Sequence, residues 1–329
     1  MRGTARVWIG GLVALLLASG TTAAASDDAP ASWRAEWPST DFSQHAVDLD
    51  EIRSGGPPKD GIPSIDDPVF ATVAEMQSLA PREPVIGLVV NGDARAYPLQ
   101  VLIWHEIVND TVGGVPVAVT YCPLCNSAIV FDRRLDDRVL DFGTTGKLRH
   151  SDLVMYDRTT ESWWQQFLGE AIVGELTGAR LAMLPSRIEG WERFAVRHPT
   201  GRVLLPGNPE MRPYGRNPYA GYDSAPRPFL YDGSVPEGIA PLAYVVAVGD
   251  QAWPLDLLRE KEELRDGDLV LRWEPGATSA LDHNVIAEGR DIGNVTVQRQ
   301  GADGPVDVVY DLTFAFVFHA FRPEGRIHQ

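Results

Sequence analysis

Cys122 and Cys125 are the only two cysteines in this 329-residue chain, and that limits how it can hold itself together. Secreted scaffolds that lack a core are braced by several disulfides joining distant segments. A pair separated by two residues closes no long loop. The fold must therefore rest on a buried apolar core, and the pair is left for chemistry. A chain of this length can bury such a core as one large domain or two smaller ones.

The N-terminal residues 1–25 read as a signal peptide. Arg2 and Arg6 supply a positive start, Val7 to Ala18 an apolar stretch, and Ala23-Ala24-Ala25 the small side chains of a cleavage site. The apolar stretch is shorter than the ~20 residues of a membrane span. The expectation is an exported chain, periplasmic or extracellular, with no span in its mature part. The net charge is −16, and removal of Arg2 and Arg6 would take it to −18. So acidic a surface repels nucleic acid and anionic lipid. A small molecule or a redox partner remains as the class of partner, and the sequence leaves the oligomeric state open.

Beyond this segment the chain reads as β-rich α+β. Residues 26–62, rich in Pro, Ser, Asp and Gly, read as a flexible leader. Asp67-Pro68 is expected to open a short helix carrying Val69, Val73 and Met76. Val85 to Val90 and Ala94 to Tyr97 form a hairpin across Asn91-Gly92-Asp93, and a short helix follows Pro98. Val115 to Tyr121 is a further strand. Ala128 to Asp132 and Arg138 to Phe142 read as a hairpin across Leu135-Asp136-Asp137. Ser186 and Glu189 form a capping box for a helix over Arg187 to Arg197. Residues 206–238, dense in Pro, Gly, Tyr and Asn, read as irregular.

Weak internal repetition suggests a larger plan. Asn91 to Leu102 resembles Val248 to Leu258, GVPVAVTYCPLCNSAI resembles GDLVLRWEPGATSAL from Gly267, and HPTGRV resembles RPEGRI. Three matches in one order predict two related, diverged β-rich units packed as one compact body: residues 63–205, carrying the cysteines, and a degenerate unit over 239–329. Glu274 and Ala277 stand in the second unit where the first has Cys122 and Cys125, so such a backbone does not itself need the sulfurs.

Cys-Pro-Leu-Cys-Asn follows an apolar strand. A redox pair of the thioredoxin type would sit at a helix N-terminus, but Ser127 to Asp132 has a strand's composition. Asn126 suits the left-handed backbone needed to close a turn after the second sulfur. The motif thus reads as a knuckle presenting two thiolates to a metal, which wants one or two more ligands. His105 is the expected third, with Glu106 as a fourth ligand or a carboxylate supporting the imidazole, and His150 is a weaker candidate. Thiolate and imidazole favour copper, zinc or iron over magnesium or calcium. Asp152, Asp157 and Arg158, beside Trp163-Trp164, are candidates for a pocket lining. The remaining histidines, His45, His198, His283, His319 and His328, read as structural.

HEIVND, TYCPLCNSAIVFDR, FGTTGKLRHSDLVMYDR, SWWQQFLGEAIVGELTG and NPYAGYD together resemble the bacterial and archaeal family termed domain of unknown function 3179. The resemblance runs from about residue 60 to the C-terminus. It implies exported or membrane-anchored proteins and no assigned activity, and similar sequences often carry Asn where this one has His150.

Three functions follow as expectations. The first is an exported metal-binding or metal-dependent redox protein using Cys122, Cys125 and His105. The second is a thiol-disulfide oxidoreductase in which Cys122 attacks and Cys125 resolves. The third is a non-enzymatic extracytoplasmic binding domain that presents Pro213 to Phe229. The sequence alone does not decide whether the chain is an enzyme.

Overall fold

The computed structural model describes Met1, residues 29–301 and residues 304–329. The signal-peptide reading lies outside the described residues. Strand (39%) outweighs helix (14%), as expected of a β-rich chain with few short helices. The expectation of two packed units is corrected: five sheets are arranged like the blades of a propeller.

Blade 1 is built on the hairpin Pro84–Val90 and Asp93–Pro98, flanked by Ser186–Gly190 and Arg202–Leu204. Blade 2 holds Ile107–Val112, Val115–Cys122, Ser127–Asp132 and the short Met183–Leu184. Blade 3 holds Ile52–Ser54, Phe142–Arg149, Asp152–Asp157, Trp163–Gln165 and Glu170–Val173. Blade 4 holds Asp311–Phe314, Tyr244–Val248, Gln251–Pro254 and Arg326–Ile327, and blade 5 the strands between Glu263 and Asp307. The segments that resemble one another in sequence occupy corresponding positions. The hairpins of blades 1 and 4 both run into a seven-residue helix, Leu99–His105 and Leu255–Lys261. Each helix ends on a glutamate with positive φ, Glu106 and Glu262 (both 60°). In both blades a parallel strand follows a second short helix.

Several local expectations are corrected. From residue 29 on, the leader is packed rather than flexible: Trp37 is wholly buried with Phe42, Leu49 and Ile52 against Tyr156 and Trp163 of blade 3. Trp37 stands edge-on to Trp163, with ring centroids 5.4 Å apart, and Ile52–Ser54 pairs with Lys147 to Arg149. Burial of these aromatic side chains offsets the poor intrinsic order of their surroundings. Asp67-Pro68 opens no helix; Phe70–Thr72 pairs with Arg202–Leu204 instead, and Phe70 packs on Tyr97. Ser186–Gly190 is a strand, and the helix is confined to Trp191–Arg197. Glu189, expected in a cap, is buried and paired with Arg197. The turn at Leu135-Asp136-Asp137 closes only the small hairpin of Arg134–Leu135 and Arg138–Val139. Ser127–Asp132 pairs with Val115–Cys122 instead.

Candidate functional site

Val115–Cys122 and Ser127–Asp132 pair in register as far as Cys122 opposite Ser127, so Pro123 to Asn126 form the loop of a hairpin. Cys125 N donates to Cys122 O at 3.2 Å, and Asn126 N to Pro123 O at 3.2 Å. Asn126 takes φ +48°, the left-handed conformation expected of it. Its amide donates to Leu312 O at 2.7 Å. The Cys125 carbonyl accepts from Thr313 Oγ1 at 2.8 Å and Phe314 N at 3.2 Å. Strand Asp311–Phe314 of blade 4 thus clamps the cysteine loop of blade 2.

A second tight turn meets the first. Phe142–Arg149 and Asp152–Asp157 are joined by His150 and Ser151, both with positive φ, as a two-residue hairpin with the right twist requires. This turn aims the Ser151 carbonyl at the two sulfurs, 3.7 Å from Cys122 Sγ and 3.5 Å from Cys125 Sγ. It also delivers Asp152. The thiols of Cys122 and Cys125 and a carboxylate oxygen of Asp152 all lie within 4.8 Å of one another, all buried.

Asp152 is held by one oxygen. Its Oδ2 accepts from Gln165 Nε2 at 2.6 Å and from Phe167 N at 2.9 Å. Its Oδ1 is buried without a hydrogen-bond partner. Burial pushes the Asp152 carboxyl up to about 6, against the lowering effect of Phe167 N and Gln165. Both thiols are likewise raised, chiefly by burial. Both cysteines are free. Among the described residues, no Arg or Lys hydrogen-bonds to Asp152.

The expected site residues are only partly brought together. His105 does not join the cluster: its Nδ1 pairs with the Pro63 carbonyl and its Nε2 with the Tyr214 hydroxyl, each at 2.7 Å. With both ring nitrogens engaged, neither is free for a metal, and Pro63 and Tyr214 explain why a buried imidazole stands there. Its pKa is lowered, first by burial. Glu106 does approach: it lines a cavity of about 70 Å³ with Cys122, Lys147 and Tyr219. Burial, then the charge of Asp152, raises it to about 8. Gly146, with φ +68°, forms the floor where Pro57 crosses the strand too closely for a side chain. His150 turns outward, 3.6 Å from Glu51 and edge-on to Phe321, and does not join the sulfurs.

Of the acidic stretch SDLVMYDR, only Asp152 enters the site. Asp157 instead fixes a turn through Thr160 and accepts from Trp164 Nε1 at 3.0 Å. Arg158 pairs with Asp60 at 3.1 Å. The Pro- and Tyr-rich segment lies across the cysteine loop: Tyr222 Oη donates to Leu124 O at 3.1 Å, and Ser151 Oγ to Phe229 O at 2.5 Å.

Five sheets arranged as blades, with a buried thiol-carboxylate cluster where blades 2 and 3 meet, define a β-propeller-like protein. The chain belongs to the family described as protein of unknown function DUF3179, whose sequence profile matches residues 59–325. No curated protein and no solved structure matches it.

Proposed function

We propose that the chain is an exported metal protein in which Cys122 Sγ, Cys125 Sγ and Asp152 Oδ1 hold one transition-metal ion. The observation that carries this reading is the orientation of Asp152. One of its oxygens is anchored by Gln165 and Phe167 N, the other is buried without a hydrogen-bond partner, and the carboxylate lies within 4.8 Å of both sulfurs. An unpaired buried carboxylate oxygen costs free energy that a cation would offset. Two thiolates and a carboxylate suit zinc, and also iron or copper. Three protein ligands leave a coordination position open, the pattern of a catalytic rather than a structural zinc. Glu106 lines the cavity beside Cys122, and in this reading it contacts whatever fills that position.

The dithiol reading is weaker on the same geometry. The cysteines lie in a hairpin loop, not at a helix N-terminus, and burial raises both thiols where an attacking sulfur needs lowering. Export rests on the reading of residues 1–25; among the described residues, no helix is long and apolar enough to cross a membrane.

Elemental analysis of chain purified without chelator tests the metal reading. About one ion per chain is expected, lost in the Cys122→Ala/Cys125→Ala double variant and strongly reduced in Asp152→Asn. Added cobalt(II) should give sulfur-to-metal charge-transfer absorption in the parent chain only. Metal-free protein that also fails to take up cobalt or zinc under reducing conditions would remove the proposal. Capture of a mixed disulfide by Cys125→Ser would favour the dithiol enzyme instead.

A further inference from the structure

Two other buried polar atoms without a hydrogen-bond partner, Asp311 Oδ2 and Arg322 Nε, belong to residues that line one cavity. It has a volume of about 310 Å³ and lies between blades 2 and 4. Its walls are largely apolar, with Ile129, Phe167, Met183 and Ala247 among them.

Asp311 is only 7% exposed. Its Oδ1 accepts from Ala128 N at 3.0 Å, which fixes the carboxyl group and leaves Oδ2 unpaired. The Ser127 hydroxyl also faces this carboxyl group. Arg322 Nε lies 3.2 Å from Asp250 Oδ1, but outside hydrogen-bond geometry, and the Asp250 side chain is 81% exposed. Such an exposed pair holds its members weakly.

An apolar cavity with one fixed acid and one base on its lining has the recognition chemistry of a zwitterion with a hydrophobic body. We propose that this cavity binds a small hydrophobic α-amino acid, its ammonium on Asp311 Oδ2, its carboxylate on Arg322 and its side chain against Ile129, Phe167 and Met183. An amine alone leaves the guanidinium with only its exposed Asp250 partner, and an acid alone leaves the Asp311 oxygen unpaired. A site with buried polar groups discriminates strongly against ligands that leave them unpaired. The proposal is independent of the metal reading, since none of the lining residues named here is a proposed metal ligand.

Calorimetric titration of the full chain with L-phenylalanine and L-leucine, against phenethylamine and 3-phenylpropionate, tests it. At least one amino acid is expected to bind, with each phenyl analogue at least tenfold weaker than L-phenylalanine if that is the ligand. Asp311→Asn and Arg322→Gln should each weaken binding by tenfold or more. Ala247→Phe, which fills the cavity, should abolish it while far-ultraviolet circular dichroism stays that of the parent. No binding of either amino acid at millimolar concentration would overturn the proposal, as would analogues that bind equally well. Unchanged affinity in Asp311→Asn would do the same. If that variant does not fold, Arg322→Gln, at the half-exposed rim, decides.

Discussion

The two oxygens of Asp152 have different tasks, and the difference lies in Gln165. Gln165 Nε2 reaches Asp152 Oδ2 at 2.6 Å, with Phe167 N on the same atom, so the carboxylate is held in one orientation beside the sulfurs. Residues that orient a ligand in this way typically contribute 10–100-fold to metal affinity. Gln165→Leu keeps the volume but removes the donor. It is expected to lower affinity by roughly that factor, read by competition with a chromophoric chelator, while one ion still binds at saturation. Unchanged affinity would show that Phe167 N alone suffices. Residue by residue, the sequence is most informative where chemistry is local. The left-handed Asn126 and the strand after Cys125 were both legible, because each is decided within five residues. Asp152 was legible only as a member of an acidic stretch, since it reaches the sulfurs through a turn of another blade. His105 misled for the same reason in reverse. Its spacing from the cysteines placed it well, but Pro63 and Tyr214, remote in sequence, claim both ring nitrogens.

Among the elements, the segment from Ala29 to Ile62 departs most from its composition. It lacks periodicity because it follows the surface of blade 3, and its burial comes from isolated anchors at irregular spacing. Trp37 is the largest of them, enclosed by Tyr156 and Trp163 with Lys59 over its ring at 4.3 Å. Trp37→Ala is expected to destabilise the chain by about 3–5 kcal/mol, the usual cost of emptying a large aromatic site, measured by urea denaturation. The segment also carries Glu36, which receives the buried Lys147 ammonium at 2.9 Å, and Lys147 lines the cavity beside Cys122. Loosening the anchor should therefore speed proteolysis within residues 29–51. A chain as stable as the parent, with that segment no more readily cut, would mean that the segment only rests on blade 3.

Over the whole molecule, the blade junctions collect buried carboxyl groups, and this sets how stability should follow pH. Strands were visible in the sequence as separate runs, but their grouping into five blades was not, because pairing within one blade joins segments about a hundred residues apart, as Ser186–Gly190 does with Pro84–Val90. Asp311 is the clearest titrating case away from the proposed ligands. Burial raises it to about 7, against the lowering contacts of Ser127 and Ala128 N. A carboxyl raised in the folded state binds its proton more tightly there than in the unfolded chain. Its contribution is fully present below pH ~4, where both states are protonated, and is lost as pH climbs through about 7. His105 runs the other way. Its lowered value means a contribution present above about 6.5 and lost as acid protonates the folded imidazole. The metal-free protein should thus lose stability between pH 5 and pH 7.5 through Asp311, by a few kcal/mol at most. Asp311→Asn, which keeps an acceptor for Ala128 N, should flatten that decline. Urea midpoints of parent and variant at the two pH values, in chelator, measure the difference. An equally steep fall in the variant would move the effect to other buried acids, Glu106 first among them.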